Sequence, residues 1–286
     1  MKASSGAFAL LLAACSPAAP ASAPSGPPQR IASVSLAADE ILHELVDLSR
    51  IVALDVYVDD AALSNVAGRY PASIPRLRSN VEQILAVRPD LVCASFYNAQ
   101  DFLEVLAKSG VPSFRYDAVK SFDGIRAGIV ALGERVGAKA KAEGIVADMD
   151  RRLAAVAKAI DGVARPRVLY WSAGWTAGKG SSIDELIDRA GGRNVGAEIG
   201  LEGMTQIPLE RALAADPDVL LLDARDAHAE LRGRDLPPQL ETLRAMKEGR
   251  DVRIPGRALG AVSHHVVDGV EALARALHAD RFPAAR

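Results

Sequence analysis

The sequence predicts an α/β fold of two doubly wound lobes, joined by a single long bridging helix and enclosing a ligand cleft between them. Three observations carry this expectation. Short β-branched runs alternate with helical ones, as in the βαβ units of a parallel sheet. A segment recurs: Asn80-Val81-Glu82-Gln83-Ile84-Leu85-Ala86-Val87-Arg88-Pro89-Asp90-Leu91-Val92 aligns without gaps with Pro208-Leu209-Glu210-Arg211-Ala212-Leu213-Ala214-Ala215-Asp216-Pro217-Asp218-Val219-Leu220. Each copy is a short helix, a Pro-Asp stop and a buried strand. Between the copies, Lys139 to Ile160 lacks proline and places Val146, Met149, Leu153, Val156 and Ile160 alternately three and four apart. That is one apolar stripe on a helix about 30 Å long.

At the N-terminus, Lys2 precedes the apolar run Ala7-Phe8-Ala9-Leu10-Leu11-Leu12 and then Ala13, Ala14 and Cys15. A positive n-region, an h-region and small residues form a secretory leader. Leu12-Ala13-Ala14-Cys15 resembles the lipobox, the tetrapeptide that ends at the lipidated residue. Residues 1–15 are therefore expected to be a lipoprotein signal peptide and Cys15 the lipidation site; an ordinary signal peptide that contains a cysteine is the alternative. Residues 16–29, rich in Pro and Ala, cannot build a core and form a tether. The N-terminal lobe is assigned to 30–137, the bridging helix to 138–162 and the C-terminal lobe to 163–286.

The first lobe starts with a strand, Ile31 to Ser35. A helix with Ile41, Leu42, Leu45 and Leu48 on one face follows, then a strand from Ile51 to Asp55. The first repeat copy leads into a strand from Leu91 to Ser95, and Val111 to Tyr116 is the next. Cys93, inside an apolar strand, is expected to be a small core residue. Beyond the bridging helix the strands are Val168 to Ser172, Val219 to Asp223 and Val252 to Ile254. Asp184-Glu185-Leu186-Ile187 weakly echoes Asp39-Glu40-Ile41-Leu42, each near the start of a helix that follows a strand.

Composition excludes several classes. The chain has 286 residues, is 49% hydrophobic and 24% charged, and carries a formal charge of −2, so it has a core to bury and no basic excess for nucleic acid. It contains no uncharged apolar run long enough to span a bilayer. No Gly-x-Ser-x-Gly elbow, His-Glu-x-x-His helix or dinucleotide fingerprint occurs, and Gly174 to Gly180 lacks the spacing and the Ser or Thr of a phosphate loop.

With these segments the sequence resembles the helical-backbone class (class III) of periplasmic substrate-binding proteins of ABC importers, which includes vitamin B12, ferric siderophore and haem binding proteins. The likeness covers nearly all of the mature chain. It lies in Arg30-Ile31-Ala32-Ser33-Val34-Ser35-Leu36-Ala37-Ala38-Asp39-Glu40, where Leu36 replaces the family's usual proline, in both repeat copies, and in Gly178-Lys179 with Ser182. The resemblance implies a two-lobed solute receptor that does no chemistry. It matches Glu82 and Glu210 to two exposed glutamates thought to meet arginines on the permease subunits. One carboxylate per lobe suits docking on a two-fold symmetric permease dimer, and the helix dipole alone also favours acidic residues in a first turn.

Ligands of open α/β sheets bind beyond the C-terminal strand ends. Tyr57, Phe96, Tyr97, Trp171 and Trp175 fall at or just after strand ends, suiting a large, flat, partly apolar ligand. Met204 joins them as a candidate contact. Arg76 and Arg78 precede the Glu82 helix in a loop that the family uses to line its cleft; they would hold carboxylates or phosphate, or stand solvated. Ser263-His264-His265 precedes an apolar helix; either histidine is a candidate ligand contact or axial imidazole, and a polar helix cap is the alternative. No converging set of His and carboxylates marks a bare metal site, and no cofactor is expected. The expectation is a monomeric, envelope-located, lipid-anchored receptor for a metal chelate, corrinoid first, with haem and ferric siderophore next. The alternative from another class is an enzyme using His264 or His265 as acid or base in the cleft.

Overall fold

The computed structural model describes residues 26–95, 97–117, 121–224 and 236–282. The expected leader, Cys15 and most of the tether lie outside the described residues. In the first lobe, β1 (Ile31–Ser33), β2 (Ile51–Asp55), β3 (Arg76–Leu77), β4 (Leu91–Ser95) and β5 (Ser113–Tyr116) form a sheet ordered β3-β2-β1-β4-β5. All its pairings are parallel, with Ile31 opposite both Ile51 and Leu91. Helices α1 (Leu36–Leu45), α2 (Val81–Ala86), α3 (Gln100–Lys108) and α4 (Phe122–Arg135) complete the lobe.

Burial on both faces explains why the inner strands β1, β2 and β4 are mostly apolar, whereas the edge strand β5 exposes Ser113 and Arg115. Ile31 and Leu91 pack with Ile41 and Leu42 of α1 and Ile129 of α4. Ala32 and Val92 point the other way, to Ile84 of α2 and Phe102 and Leu106 of α3. Cys93 is fully buried in β4, and burial pushes its thiol well above the usual range, which keeps it an inert core group.

In the second lobe the strands are β6 (Arg167–Trp171), β7 (Trp175–Ala177), β8 (Arg193–Asn194), β9 (Met204–Gln206), β10 (Val219–Asp223) and β11 (Asp251–Ile254). A parallel sheet runs β11-β10-β6-β8, and β7 and β9 pair antiparallel in a separate ribbon. Three-residue strands carry too little periodicity to be legible, and the sequence reading missed this ribbon. The helices of this lobe follow helix α5 (Lys139–Ala159): they are α6 (Ser182–Arg189), α7 (Val195–Glu198), α8 (Leu209–Ala215), α9 (Arg244–Lys247), α10 (Gly256–Leu259) and α11 (Val266–Leu277).

Helix α5 is the bridge. It packs on α4 and α1 of the first lobe and on α11 and α6 of the second, burying Ala142, Met149, Leu153 and Val156. A Cβ at Gly133 would stand 2.3 Å from that of Ala142, so only glycine lets α4 approach this closely. On the other side the Arg152 guanidinium bridges Asp268 (2.6 Å) and Glu271 (2.8 Å) of α11. Among the described residues no helix is long and apolar enough to cross a membrane.

Candidate ligand cleft

The C-terminal ends of β1, β2 and β4 in one lobe and of β6, β10 and β11 in the other lead into segments that border one cavity of about 300 Å³. Its first-lobe wall includes Leu36 and Glu40 from α1 with Tyr57, Leu63 and Tyr97; its second-lobe wall includes Tyr170, Asp223 and the 259–262 segment. Ser35 starts α1 by accepting from the Ala38 N–H, which fixes the turn that presents Leu36 and Glu40. A Cβ at Gly256 would stand 2.7 Å from Asp223 Oδ1, so a larger residue there would displace the Asp223 side chain from its place at the cavity. Among the described residues bordering the cavity there is no Lys, Arg or His.

The carboxylates near its floor are set by burial. Asp39 is wholly buried; its Oδ2 accepts from the Asp55 N–H at 2.9 Å, and its Oδ1 has no hydrogen-bond partner. Desolvation, reinforced by the nearby Asp55 charge, raises its carboxyl well above the usual range. Burial also raises Glu40, against the pull of hydrogen bonds from Ser263 and Asn65, and raises Asp55. Asp55 in turn accepts from the Tyr57 N–H at 2.9 Å, fixing the backbone that carries the Tyr57 ring.

Tyr57 and Tyr97 stand at this cavity, 47% and 51% exposed. The Tyr97 hydroxyl accepts from the Leu36 N–H at 3.1 Å, which ties the ring to the start of α1. The Arg78 guanidinium lies 6.0 Å from the Tyr57 ring centroid. Phe96 lies outside the described residues. Arg76 is spent within its own lobe: it pairs with Asp59 at 2.8 Å and donates to the carbonyls of Pro71 and Ile74, so it braces the loop and is not held out for a ligand.

Trp171 also departs from expectation. It is 5% exposed and packs with Leu169, Val195 and Leu220 on the far face of the second sheet. Side chains alternate along a strand, so its neighbour Tyr170 faces the cavity instead. The missed residue was one position away, on a strand apolar on both faces. Trp175 and Met204, 43% and 46% exposed, lie diagonally on one face of the β7–β9 ribbon, outside the cavity wall.

The histidines are not in this cavity. His264 borders a separate groove of about 490 Å³ along α5, with Glu44, Ile145, Met149 and Arg152. Burial, then the adjacent His265, lowers its imidazole to about 4. The His265 Nδ1 pairs with Asp268 at 2.9 Å, which fixes the ring at the head of α11. The groove is the larger hollow; of its charged groups, Arg152 pairs with α11, Glu44 meets Arg69 at 3.3 Å and Lys141 donates to the Leu45 carbonyl at 3.2 Å. Among the described residues no group of three or more His, Cys, Asp or Glu could hold a metal ion. Glu82 and Glu210 are exposed in the first turns of α2 and α8.

Two parallel-sheet lobes, a helix spanning both and a cavity where their strand ends face each other define a two-lobed solute-binding protein. Residues 31–258 match the periplasmic binding protein family, and the chain belongs to that family. It is 27% identical over 262 residues to the cobalamin-binding protein of Halobacterium salinarum, a match covering 88% of this chain and 70% of that one. It is 23% identical over 229 residues to YvrC, an uncharacterized ABC transporter substrate-binding lipoprotein of Bacillus subtilis, covering 74% and 71%. A periplasmic heme-binding protein of Pseudomonas aeruginosa superposes with a TM-score of 0.74 at 25% identity, covering 90% of this chain and 95% of that one. The protein is thus a periplasmic binding protein, a non-enzymatic component of transport. The reading of His264 or His265 as an acid–base catalyst falls with that assignment.

Proposed function

We propose that the protein captures a corrinoid in the interlobe cavity and hands it to the permease dimer of an ABC importer. The carrying observation is the chemistry of the wall: three tyrosines, aliphatic groups, and two carboxylates, Glu40 and Asp223, with no cation among its described residues. A corrin presents a broad apolar face and a rim of uncharged amides, whose N–H groups suit carboxylate and phenol acceptors. Haem propionates and anionic siderophores need cations; Arg76 is already paired, and Arg78, beside the Tyr57 ring, does not border the cavity. The 27% identity to a cobalamin-binding protein supports the same choice. Haem is the second reading, favoured by the likeness to the Pseudomonas protein.

In this reading residues 1–15 are a leader, Cys15 is lipidated and anchors a monomer to the membrane, and 16–29 tether the lobes at 30–137 and 163–286, with the bridge at 138–162. Likeness to a substrate-binding lipoprotein supports the anchor. Glu82 and Glu210 meet the two permease subunits. Tryptophan fluorescence titration with cyanocobalamin, cobinamide, haem and a ferric hydroxamate tests the ligand, with exposed Trp175 as the main reporter. Saturable one-to-one quenching by a corrinoid is expected; saturation by haem alone transfers the assignment to haem.

A further inference from the structure

We propose that Glu40 is a positioning residue that sets the width of the ligand cleft, one carboxylate oxygen holding each wall. The proposal rests on the reading of the interlobe cavity as the ligand site. Glu40 is 3% exposed, on the face of α1 that borders the cavity. Its Oε1 accepts from the backbone N–H of Asn65 at 2.8 Å and from the Asn65 side-chain amide at 3.0 Å. Asn65 follows directly on the loop that carries Tyr57 and Leu63, the first-lobe wall. The other oxygen, Oε2, accepts from the hydroxyl of Ser263, at the end of the second-lobe wall segment. Ser263 Oγ accepts in turn from the His265 N–H at 3.3 Å, so the carboxylate grips the turn leading into α11.

Three more hydrogen bonds cross between the lobes along the same wall. The Asn65 amide donates to the Arg257 carbonyl at 2.9 Å, Arg257 Nη1 donates to the Ala61 carbonyl at 3.0 Å, and the Tyr116 hydroxyl donates to the Val262 carbonyl at 2.7 Å. Glu40 is the buried group beneath them. A carboxylate suits the place because it offers acceptor sites in two directions and needs no donor of its own. A buried carboxylate is costly without partners, so a wall that moves away strands an acceptor, and the cavity is held at one spacing before any ligand arrives.

Hydrogen exchange with mass spectrometry on the full chain tests this, alongside titration with cyanocobalamin and cobinamide. In Glu40→Ala, amides of 61–66 and of 258–266 are expected to exchange about tenfold faster or more, while those of β6 and β10 keep wild-type protection. Asn65→Ala should loosen the first segment and Ser263→Ala the second. Glu40→Gln should restore both, since its amide oxygen still accepts from Asn65 and its NH2 donates to Ser263 Oγ. If Glu40→Ala does not fold, the two single-wall variants decide. Uniform acceleration, or unchanged exchange in both segments, overturns the positioning role. Exchange needs no ligand, so wall-specific loosening in a protein that ignores both corrinoids overturns the ligand assignment and leaves the positioning role standing. Unchanged corrinoid affinity with unchanged wall protection in Glu40→Ala overturns the positioning role.

Discussion

Arg30 and Arg167 do the same work in the two lobes: each carries its guanidinium to the last carbonyls of the helix that precedes a neighbouring strand. Arg30 reaches the carbonyls of Arg88 at 2.8 Å and Val87 at 2.7 Å. Arg167 reaches those of Ala215 at 2.9 Å and Asp216 at 3.0 Å. The aspartate after each proline answers from the other side. Asp90 accepts from the Arg30 N–H at 2.8 Å and Asp218 from the Arg167 N–H at 2.9 Å. Between them the chain turns through a left-handed residue, Arg88 at φ 47° in one lobe and Asp216 at φ 39° in the other. The two copies of the sequence repeat thus fold to one local structure, down to a strained residue before proline.

These clamps satisfy carbonyls that a helix end leaves without partners. Arg30→Ala and Arg167→Ala should each lower stability to urea unfolding by about 1 kcal/mol, because the freed carbonyls regain some water. The clamps are in different lobes, so the double variant should show the sum of the two losses. A clearly larger combined loss would mean that the lobes are coupled through them.

The repeat was legible because it consists of local signals: a short helix, a Pro-Asp stop and a strand apolar on both faces. The bridge was legible because its stripe keeps helical spacing. The site was less so. On β6 both faces are buried, so no alternation in polarity told Tyr170 from Trp171. Arg76 looked free because its partner Asp59 is supplied by a turn, not by helical or strand spacing. Nothing near His264 in sequence announces the α5 residues that it faces.

Trp171 and Tyr57 should respond oppositely to truncation. Trp171→Ala empties part of the second lobe's core and should cost about 3–5 kcal/mol. Tyr57→Ala removes a half-exposed ring and should change stability by under about 1 kcal/mol while weakening corrinoid binding roughly tenfold or more. Urea unfolding and fluorescence titration on both variants separate the roles. Wild-type affinity in Tyr57→Ala would remove that ring from the ligand site.

Acid sensitivity should be traceable to His264. Its imidazole is lowered from 6.5 to about 4 in the fold. A base with a depressed folded value contributes stability present above its unfolded value and lost as pH falls from about 6.5 towards 4, here on the order of 3 kcal/mol in all. His264→Leu should remove that loss, so its stability relative to wild type should rise on going from pH 7 to pH 4.5. A pH-independent difference would show that the ring titrates normally.

Asp39 and Glu40 work in the other direction. Their folded values are raised by burial, so the stability they confer is fully present below about pH 4 and is lost as pH rises through the folded values. Asp39→Asn keeps an oxygen to accept from the Asp55 N–H and removes the charge. Its unfolding midpoint in urea should therefore gain on wild type as pH rises from 4 to 7.5. A difference from wild type that stays the same at both pH values would mean that the Asp39 carboxyl is not raised in the fold.

Capture and delivery should separate at Glu82 and Glu210. Glu82 and Glu210 are exposed second residues of α2 and α8, one on each lobe, and repeat-equivalent. Their carboxylates meet favourable dipoles at the helix starts, worth about 0.3–1 kcal/mol each, which by itself would explain acidic residues there. Docking makes a stronger demand: each lobe must present its charge to one half of a two-fold symmetric partner. Glu82→Lys and Glu210→Lys should each reduce uptake in cells to a similar degree, and the double reversal should abolish it. Soluble ligand affinity should stay within about twofold of wild type, because neither residue borders the cavity. Unimpaired uptake by the double variant would leave only the helix-dipole role, and loss of ligand binding would place these helices at the cleft instead of the permease.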